Sequence, residues 1–557
     1  MRIIIYFILL LSYSLTLHAQ NTVGVIKNNS EAFNGYTLFS PNTSNETYLI
    51  NNCGEIVHQW TSVYNPGVSV YLLENGNLLR AAKIPNDNVV FGGVGGKVEL
   101  FDWDNNLVWD YTYSTNEVSQ HHEVLPLPNG NILILAAKIL TEVQAIQAGR
   151  DPNLITEGKI YSEKIIEIQP DLINGGGTIV WEWDIKDHLI QDLDASKDNF
   201  GNVANNPQLL DINFINENSN GGAANWLHFN SVQYNIDLDQ LILSSRLLSE
   251  IYIIDHSTTS KEAASHTGGN YGKGGDFLYR WGNPQSYRLG NNSDKKLFGQ
   301  HFPHWIPENL NDAGKIMIFN NGNSREIDKN NLPINYSSID IIDPNVDING
   351  NYNFNLVNGF EPQNLTWTYI DPVERKKFFS PILSGAQRLP NGNTLICSGS
   401  LGYFFEINSN KEIVWEYINP DTSNGILSQG SLASANSVFR ANKYDVNDPV
   451  FEGKSLIPKR PIEMNSQINE SCTLLEVNNY TNYNFKMYPN PVNNTLHINS
   501  KNKIINIEVY NILGLLIKNK KDENGIDSID LSNLNKSIYI IKAYSNNLII
   551  SEKIIKN

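Results

Sequence analysis

Three histidines and one arginine are the residues of this chain whose types and spacing could do chemistry. Counting six residues back from Pro128 and Pro307 lands on His122 and His301, and His228 stands the same distance before Tyr234; the same count from Pro390 gives Ser384. Near neutral pH an imidazole can be a nucleophile, a general acid or base, or a metal ligand. Three facing imidazoles suit either group transfer through a covalent histidine or a zinc or copper site. Arg246, closing the run Leu243-Ser244-Ser245-Arg246, weighs against a metal, because a buried guanidinium disfavours a divalent cation and suits the paired oxygens of an oxyanion. No carboxylate shares the repeat position, and no metal or other cofactor is expected. His121 is read as structural, since the two-residue strand period turns it away from His122. His304, three residues after His301, falls on the opposite face for the same reason, and Pro303 is expected to hold the residue before it extended.

Short strands must position these side chains. An aromatic residue follows Ile, Val or Leu in six places: Ile56-Val57-His58-Gln59-Trp60, Leu107-Val108-Trp109, Ile179-Val180-Trp181, Phe277-Leu278-Tyr279, Leu365-Thr366-Trp367 and Ile413-Val414-Trp415. Between them lie hairpin signals, clearest at Asn75-Gly76-Asn77, Asn129-Gly130-Asn131 and Asn391-Gly392-Asn393. One full unit reads His122–Leu127, Ile132–Ala137, Lys164–Ile168 and Thr178–Trp183, which is one propeller blade. The fold class is therefore all-β, a six-bladed β-propeller with a small C-terminal β-sandwich. First strands line a propeller's channel, so the three histidines should converge there. The first aromatic mark precedes any hairpin, and the last hairpin-like strand, Ser437–Tyr444, lacks a mark. The segment from Tyr36 to Trp60 should thus supply the outer strands of a blade completed near Ser437. Asp184–Ala224 and Asn283–Lys296 are long insertions expected around the site.

Residues 1–19 have the layout of a cleaved signal peptide, and no later stretch is apolar enough to span a membrane. With a net charge of −17 and no Lys/Arg-rich block, nucleic acid is not an expected partner. Three cysteines, Cys53, Cys397 and Cys472, fit no metal or redox pattern; they leave room for one bridge but no disulfide framework. Residues 20–472 form the propeller and 473–487 a linker. Residues 488–557, opening on Tyr488-Pro489-Asn490-Pro491 and closing through Tyr539-Ile540-Ile541-Lys542, alternate over short runs as a sandwich does.

Several blocks together resemble the bacterial aryl-sulfate sulfotransferases: His121-His122-Glu123, Asn225-Trp226-Leu227-His228-Phe229-Asn230-Ser231, Ser244-Ser245-Arg246, Tyr279-Arg280-Trp281-Gly282-Asn283-Pro284, Phe298-Gly299-Gln300-His301, and the run from Ser384 to Asn393. They span Tyr71 to Tyr444. The resemblance implies sulfuryl transfer from a phenolic sulfate donor to a phenolic acceptor without a nucleotide carrier, through a sulfohistidine. It makes His301 the nucleophile, with Arg246, His122 and His228 beside it and Asn230 binding substrate oxygens. The C-terminal segment resembles the type A sorting domain of the type IX secretion machinery, which implies export through the periplasm to the cell surface or beyond. A propeller that binds anionic or glycan ligands without catalysis is the alternative. The Cys-x-Pro-x-Arg sequence of sulfatases occurs at none of the cysteines.

Overall fold

The computed structural model describes residues 21–216, 222–466, 486–500, 503–511, 515–545 and 548–557. The expected signal peptide at 1–19 and most of the 473–487 linker lie outside them. Strand makes up 44% of the chain and helix 7%, so the protein is nearly all-β. It separates into two compact units, Met1–Cys472 and Thr473–Asn557.

Among the described residues the first unit holds six antiparallel sheets of four or five strands. From inner to outer edge the first sheet runs Val438–Asp445, Gly35–Pro41, Glu46–Ile50 and Ile56–Thr61. The second is Pro66–Leu72, Leu78–Lys83, Gly96–Phe101 and Leu107–Thr112, and the third is Val118–Pro126, Ile132–Thr141, Lys159–Pro170 and Gly177–Asp184. The fourth is Phe229–Asn235, Gln240–Ser245, Glu250–Asp255 and Tyr279–Trp281, and the fifth is His301–Trp305, Ile316–Asn320, Ser338–Ile342 and Trp367–Tyr369. Gly385–Arg388, Thr394–Ser398, Tyr403–Ile407, Ile413–Ile418 and Gly24–Asn28 make the sixth. All six aromatic marks fall on the fourth strands of their sheets, counted from the inner edge. Their rings fill the space between successive sheets: Trp60, Trp109 and Trp415 are buried, with indole N–H groups donating to the carbonyls of Asp102, Gly176 and Asn52.

Each inner strand touches the inner strand of the next sheet, from the first sheet through the sixth and back to the first. The return contact depends on the chain ends. Gly35 to Phe39 pair with Asp445 to Ala441, as expected from the missing strand in the sequence, so the N-terminal segment completes a sheet begun by the last strand. Cores between sheets are aliphatic and aromatic; one, under the third and fourth sheets, gathers Leu133, Ile165, Trp183, Trp226, Phe229 and Tyr252. Cys397 is a buried free thiol, and Cys53 is disulfide-bonded.

The inner strands are not regular. Register shifts interrupt the inner pairings of the first five sheets, between Phe39 and Pro41, Pro66 and Val70, Ile134 and Ala136, Phe229 and Ser231, and His301 and His304. Beside these breaks, Val68, His122, His228 and Phe302 have left-handed φ of 91°, 51°, 51° and 50°, and Ser384 of the sixth sheet joins them at 91°. Each such residue costs about 1–2 kcal/mol, and a bulge re-aims the side chains on either side of it. Phe302 is thus not extended, contrary to the expectation from Pro303.

The second unit has a three-stranded sheet, Lys486–Tyr488, Thr495–Asn499 and Ser528–Asp530, and a four-stranded one, Leu516–Lys521, Asn506–Asn511, Ser537–Ser545 and Leu548–Lys556. Alternating burial sends Leu496, Ile498, Ile507, Val509, Ile541 and Ala543 into a core of its own. Because each unit buries its own core, a chain ending near residue 480 should keep the thermal transition of the first unit; calorimetry showing that transition lost would contradict the division.

Candidate active site

His122, His228 and His301 come together among the inner strands of the third, fourth and fifth sheets. The His122 and His228 rings lie 4.9 Å apart, edge to face. His122 and His301 are buried and His228 is partly so, and His122 is within electrostatic reach of His228, His301 and Arg246. Their common position is approximate, because the left-handed residue of the fifth sheet is Phe302 and His301 stands one step before it. Phe91, from the loop after Lys83, packs 5.6 Å from His228 and 6.3 Å from His122. Gly93 of that loop has φ of 91°, and its carbonyl accepts from the His122 N–H at 2.8 Å; a Cβ there would lie 2.2 Å from the His122 ring.

Each imidazole has a partner at Nδ1, and for two of them that partner fixes the proton. Asn321 donates its amide to the carbonyls of Ser380 and Leu383, at 2.7 and 3.1 Å, so its Oδ1 faces His301 Nδ1 at 2.8 Å as an acceptor. The His301 proton is therefore on Nδ1. Nε2 keeps its lone pair, which accepts the Leu383 N–H at 3.2 Å. His228 is set the other way: the Asn225 amide donates to its Nδ1 at 2.6 Å, leaving the proton on Nε2. His122 Nδ1 faces His121 Nδ1 at 2.9 Å.

That last contact corrects the expectation for His121. The left-handed turn at His122 breaks the alternation, so neighbouring side chains meet instead of facing apart. His121 Nε2 in turn lies 2.9 Å from Glu163 Oε2, and Glu163 Oε1 accepts the Phe229 N–H at 2.9 Å. One carboxylate therefore braces both the His121-His122 pair and the strand that follows His228.

Arg246 follows the second strand of the fourth sheet, its N–H donating to the His228 carbonyl at 3.2 Å. Among the described residues it has no carboxylate partner, its Nε is buried without an acceptor, and burial lowers its pKa. A cation partly shielded from water with no counter-charge is a place for an anion. Burial, with Arg246 next, pushes His301 down to about 3 and holds His228 well below the ordinary histidine range; burial does the same to His122, with His228 the largest charge acting on it. All three are neutral at pH 7.

Asn230, expected to touch substrate, donates its amide to the Gln300 carbonyl at 2.8 Å. Gln300 donates to Ser244, Ser245 and the Glu250 carbonyl at 2.8–3.1 Å, so the peptide leading into His301 is pinned to the fourth sheet. His304 stays apart from the cluster, its ring stacked on Phe302 at 4.5 Å. Further along the inner strands a buried network of Tyr71, Glu123, Gln233 and Arg440 links four sheets, with Arg440 2.7 Å from Glu123. As for metals, the group of His, Asp and Glu ligand atoms close enough to share an ion is, among the described residues, His188, His266 and Asp276 in loops of the third and fourth sheets.

Sequence reasoning missed Asn225, Asn321, Glu163 and the contacts of His121. Asn225 stands three residues before His228, a spacing that could have flagged it. Asn321 is 20 residues from its histidine and Glu163 is 42 from His121, so only the fold joins them.

Comparison with known proteins bears on the whole chain. Among solved structures, similar chains include a protein of unknown function from Bacteroides caccae, with 11% identity, a TM-score of 0.37, and 74% of this chain and 98% of that one covered. A periplasmic gluconolactonase from Pseudomonas aeruginosa matches with 9% identity and a TM-score of 0.35, covering 74% and 99%. Virginiamycin B lyase from Staphylococcus aureus matches with 11% identity and a TM-score of 0.29, covering 71% and 88%. Similarity at that level supports no argument about activity. No curated protein sequence matches. The family model "Secretion system C-terminal sorting domain" matches residues 486–557, which marks the chain for export to the cell surface or beyond. The model "Arylsulfotransferase (ASST)" matches residues 22–440, the greater part of the chain and every residue of the histidine cluster, and the chain belongs to the arylsulfotransferase family.

Proposed function

We propose that the protein moves a sulfuryl group from a phenolic sulfate ester to a phenolic acceptor in two half reactions through His301, in the channel of a six-bladed propeller. The cyclic contact of six inner strands supports the blade count. The observation that carries the chemistry is an arginine with a buried Nε and no carboxylate partner among three neutral histidines, two of which have their protons set by different partners.

In the first half reaction the His301 Nε2 lone pair, released from the Leu383 N–H, attacks sulfur as the bond from sulfur to the phenolic oxygen breaks. Positive charge grows on the imidazole, and Asn321 Oδ1 accepts the Nδ1–H that carries it. Negative charge grows on the departing oxygen, where Arg246 and His228 Nε2–H are donors already oriented and desolvated. His122 exchanges the phenolic proton. Neutral imidazole takes the sulfuryl group, so free sulfate dianion never forms. The acceptor reverses these steps. Asn230 contributes by holding the backbone before His301, and Phe91 offers an aromatic face beside the histidines. No metal takes part in this scheme, since Arg246 supplies the positive charge.

A chromogenic aryl sulfate should release its phenol only when a second phenol is added, whereas binding without release would favour the non-catalytic alternative. His301→Asn should lower that rate about a thousandfold or more, while His122 and His228 replacements slow it less.

The lowered pKa of His301 also predicts a pH dependence of stability. An unfolded histidine takes up its proton near 6.5, whereas folded His301 does not until about 3. Folding therefore excludes a proton between those values. The stability it contributes is full above about 6.5 and is lost as pH falls toward 3. Denaturant midpoints at pH 7.5 and 5 should differ more for the wild type than for His301→Asn, and equal differences would contradict the neutral assignment.

A further inference from the structure

Glu163 and His121 form an unbroken line from a buried carboxylate to a channel histidine: Glu163 Oε2 to His121 Nε2 is 2.9 Å, and His121 Nδ1 to His122 Nδ1 is 2.9 Å. None of the three side chains is more than 3% exposed. Third strands of other sheets also carry a buried acid, but there the partner is a permanent cation: Glu99 meets Arg80 at 2.8 Å, Glu250 meets Arg280 at 2.6 Å and Glu406 meets Lys443 at 2.9 Å. In the third sheet the same kind of acid meets a group that can give up its proton, and that group touches His122.

We infer that Glu163 and His121 are a proton relay that loads and unloads His122. The inference rests on the sulfuryl-transfer reading and adds to it the path of the proton. Two nitrogens 2.9 Å apart share one hydrogen, so the line has two arrangements. In the loaded one, His121 carries protons on both nitrogens, donating to Glu163 and to His122 Nδ1, and His122 bears its proton on Nε2. As the S–O bond breaks, His122 Nε2–H passes to the leaving phenolate oxygen while the His121 Nδ1 proton moves to His122 Nδ1. One proton has left the line, and His121 is neutral and still donates to Glu163. In the second half reaction the acceptor's O–H proton enters at His122 Nε2, the shared hydrogen returns to His121, and the loaded arrangement is restored.

The surroundings explain why the charge is kept one residue back. His122 faces His228, His301 and Arg246, none of which can neutralise a positive charge. His121 faces the Glu163 carboxylate and, on another side, the Phe91 ring at 5.0 Å. A relay lets a histidine that stays neutral still deliver a proton.

The competing role is a brace, because Glu163 Oε1 also holds the Phe229 N–H. Glu163→Gln keeps that acceptor and removes the charge. Rates on a series of aryl sulfates, from nitrophenyl to alkylphenyl, separate the two roles. A nitrophenolate leaves without a proton; an alkylphenolate needs one. For a relay, Glu163→Gln should slow the alkylphenyl donors about a hundredfold and the nitrophenyl donor no more than a few-fold, and His121→Gln should show the same pattern. Equal loss across the series, or no loss, would overturn the relay. Should neither variant fold, the wild type decides: a shallow dependence on leaving-group basicity supports the relay, and a steep one overturns it. Wild type with no phenol-dependent release on any donor would refute the transfer reading itself, an outcome distinct from uniform loss in the variants.

Discussion

The ladder between Gly35–Pro41 and Val438–Asp445 is the interaction on which the rest of the first unit depends. It joins segments about 400 residues apart, seats the last strand between its neighbours in the cycle of inner strands, and removes two sheet edges that would otherwise stand unpaired. Without it Arg440 would have no fixed place, and the buried network it forms with Glu123 and Tyr71 would lose its cation. The histidines belong to three successive sheets, so their convergence requires that cycle.

Within the cycle, strain and desolvation are concentrated where the chemistry is assigned. His122 and His228 hold left-handed backbone, a conformation that bulky side chains seldom adopt and that neighbouring structure must impose. Three imidazoles are kept neutral and an arginine is kept charged without a partner. Such an arrangement is costly unless an anion completes it. In the proposed reaction a sulfate ester would do so, with its aryl group beside the apolar face of Phe91. The secretion signal is consistent with small-molecule chemistry at the cell surface, where a nucleotide carrier would not be at hand.

Much of the fold was legible because the four-stranded unit repeats. Aromatic marks such as Trp109 and Trp415 identify fourth strands, since each fills the same gap between sheets; Asn-Gly-Asn turns locate hairpins; and the unmatched ends near Trp60 and Ser437 required each other. Counting back from Pro128 and Pro307 found His122 and His301, because the hairpin is a fixed distance from the far end of the inner strand. The count blurred at His301, where the left-handed residue shifts to Phe302. Strand periodicity failed at His121 for a related reason, as it presumes a regular ladder and the ladder breaks there. Contacts made across sheets, such as Asn321 with His301 and Asn230 with the Gln300 carbonyl, have no local signature. Glu163 did leave a trace, in the acid that recurs on third strands at Glu99, Glu250 and Glu406, but only the structure shows that its partner is a histidine.

The central claim is that His301 carries the sulfuryl group between donor and acceptor. Intact-protein mass after exposure to a phenolic sulfate with no acceptor tests it most directly. One added sulfuryl group on the wild type, mapped to His301 and discharged on adding phenol, is the predicted result. Turnover with no such adduct, or the same adduct on His301→Asn, would contradict it.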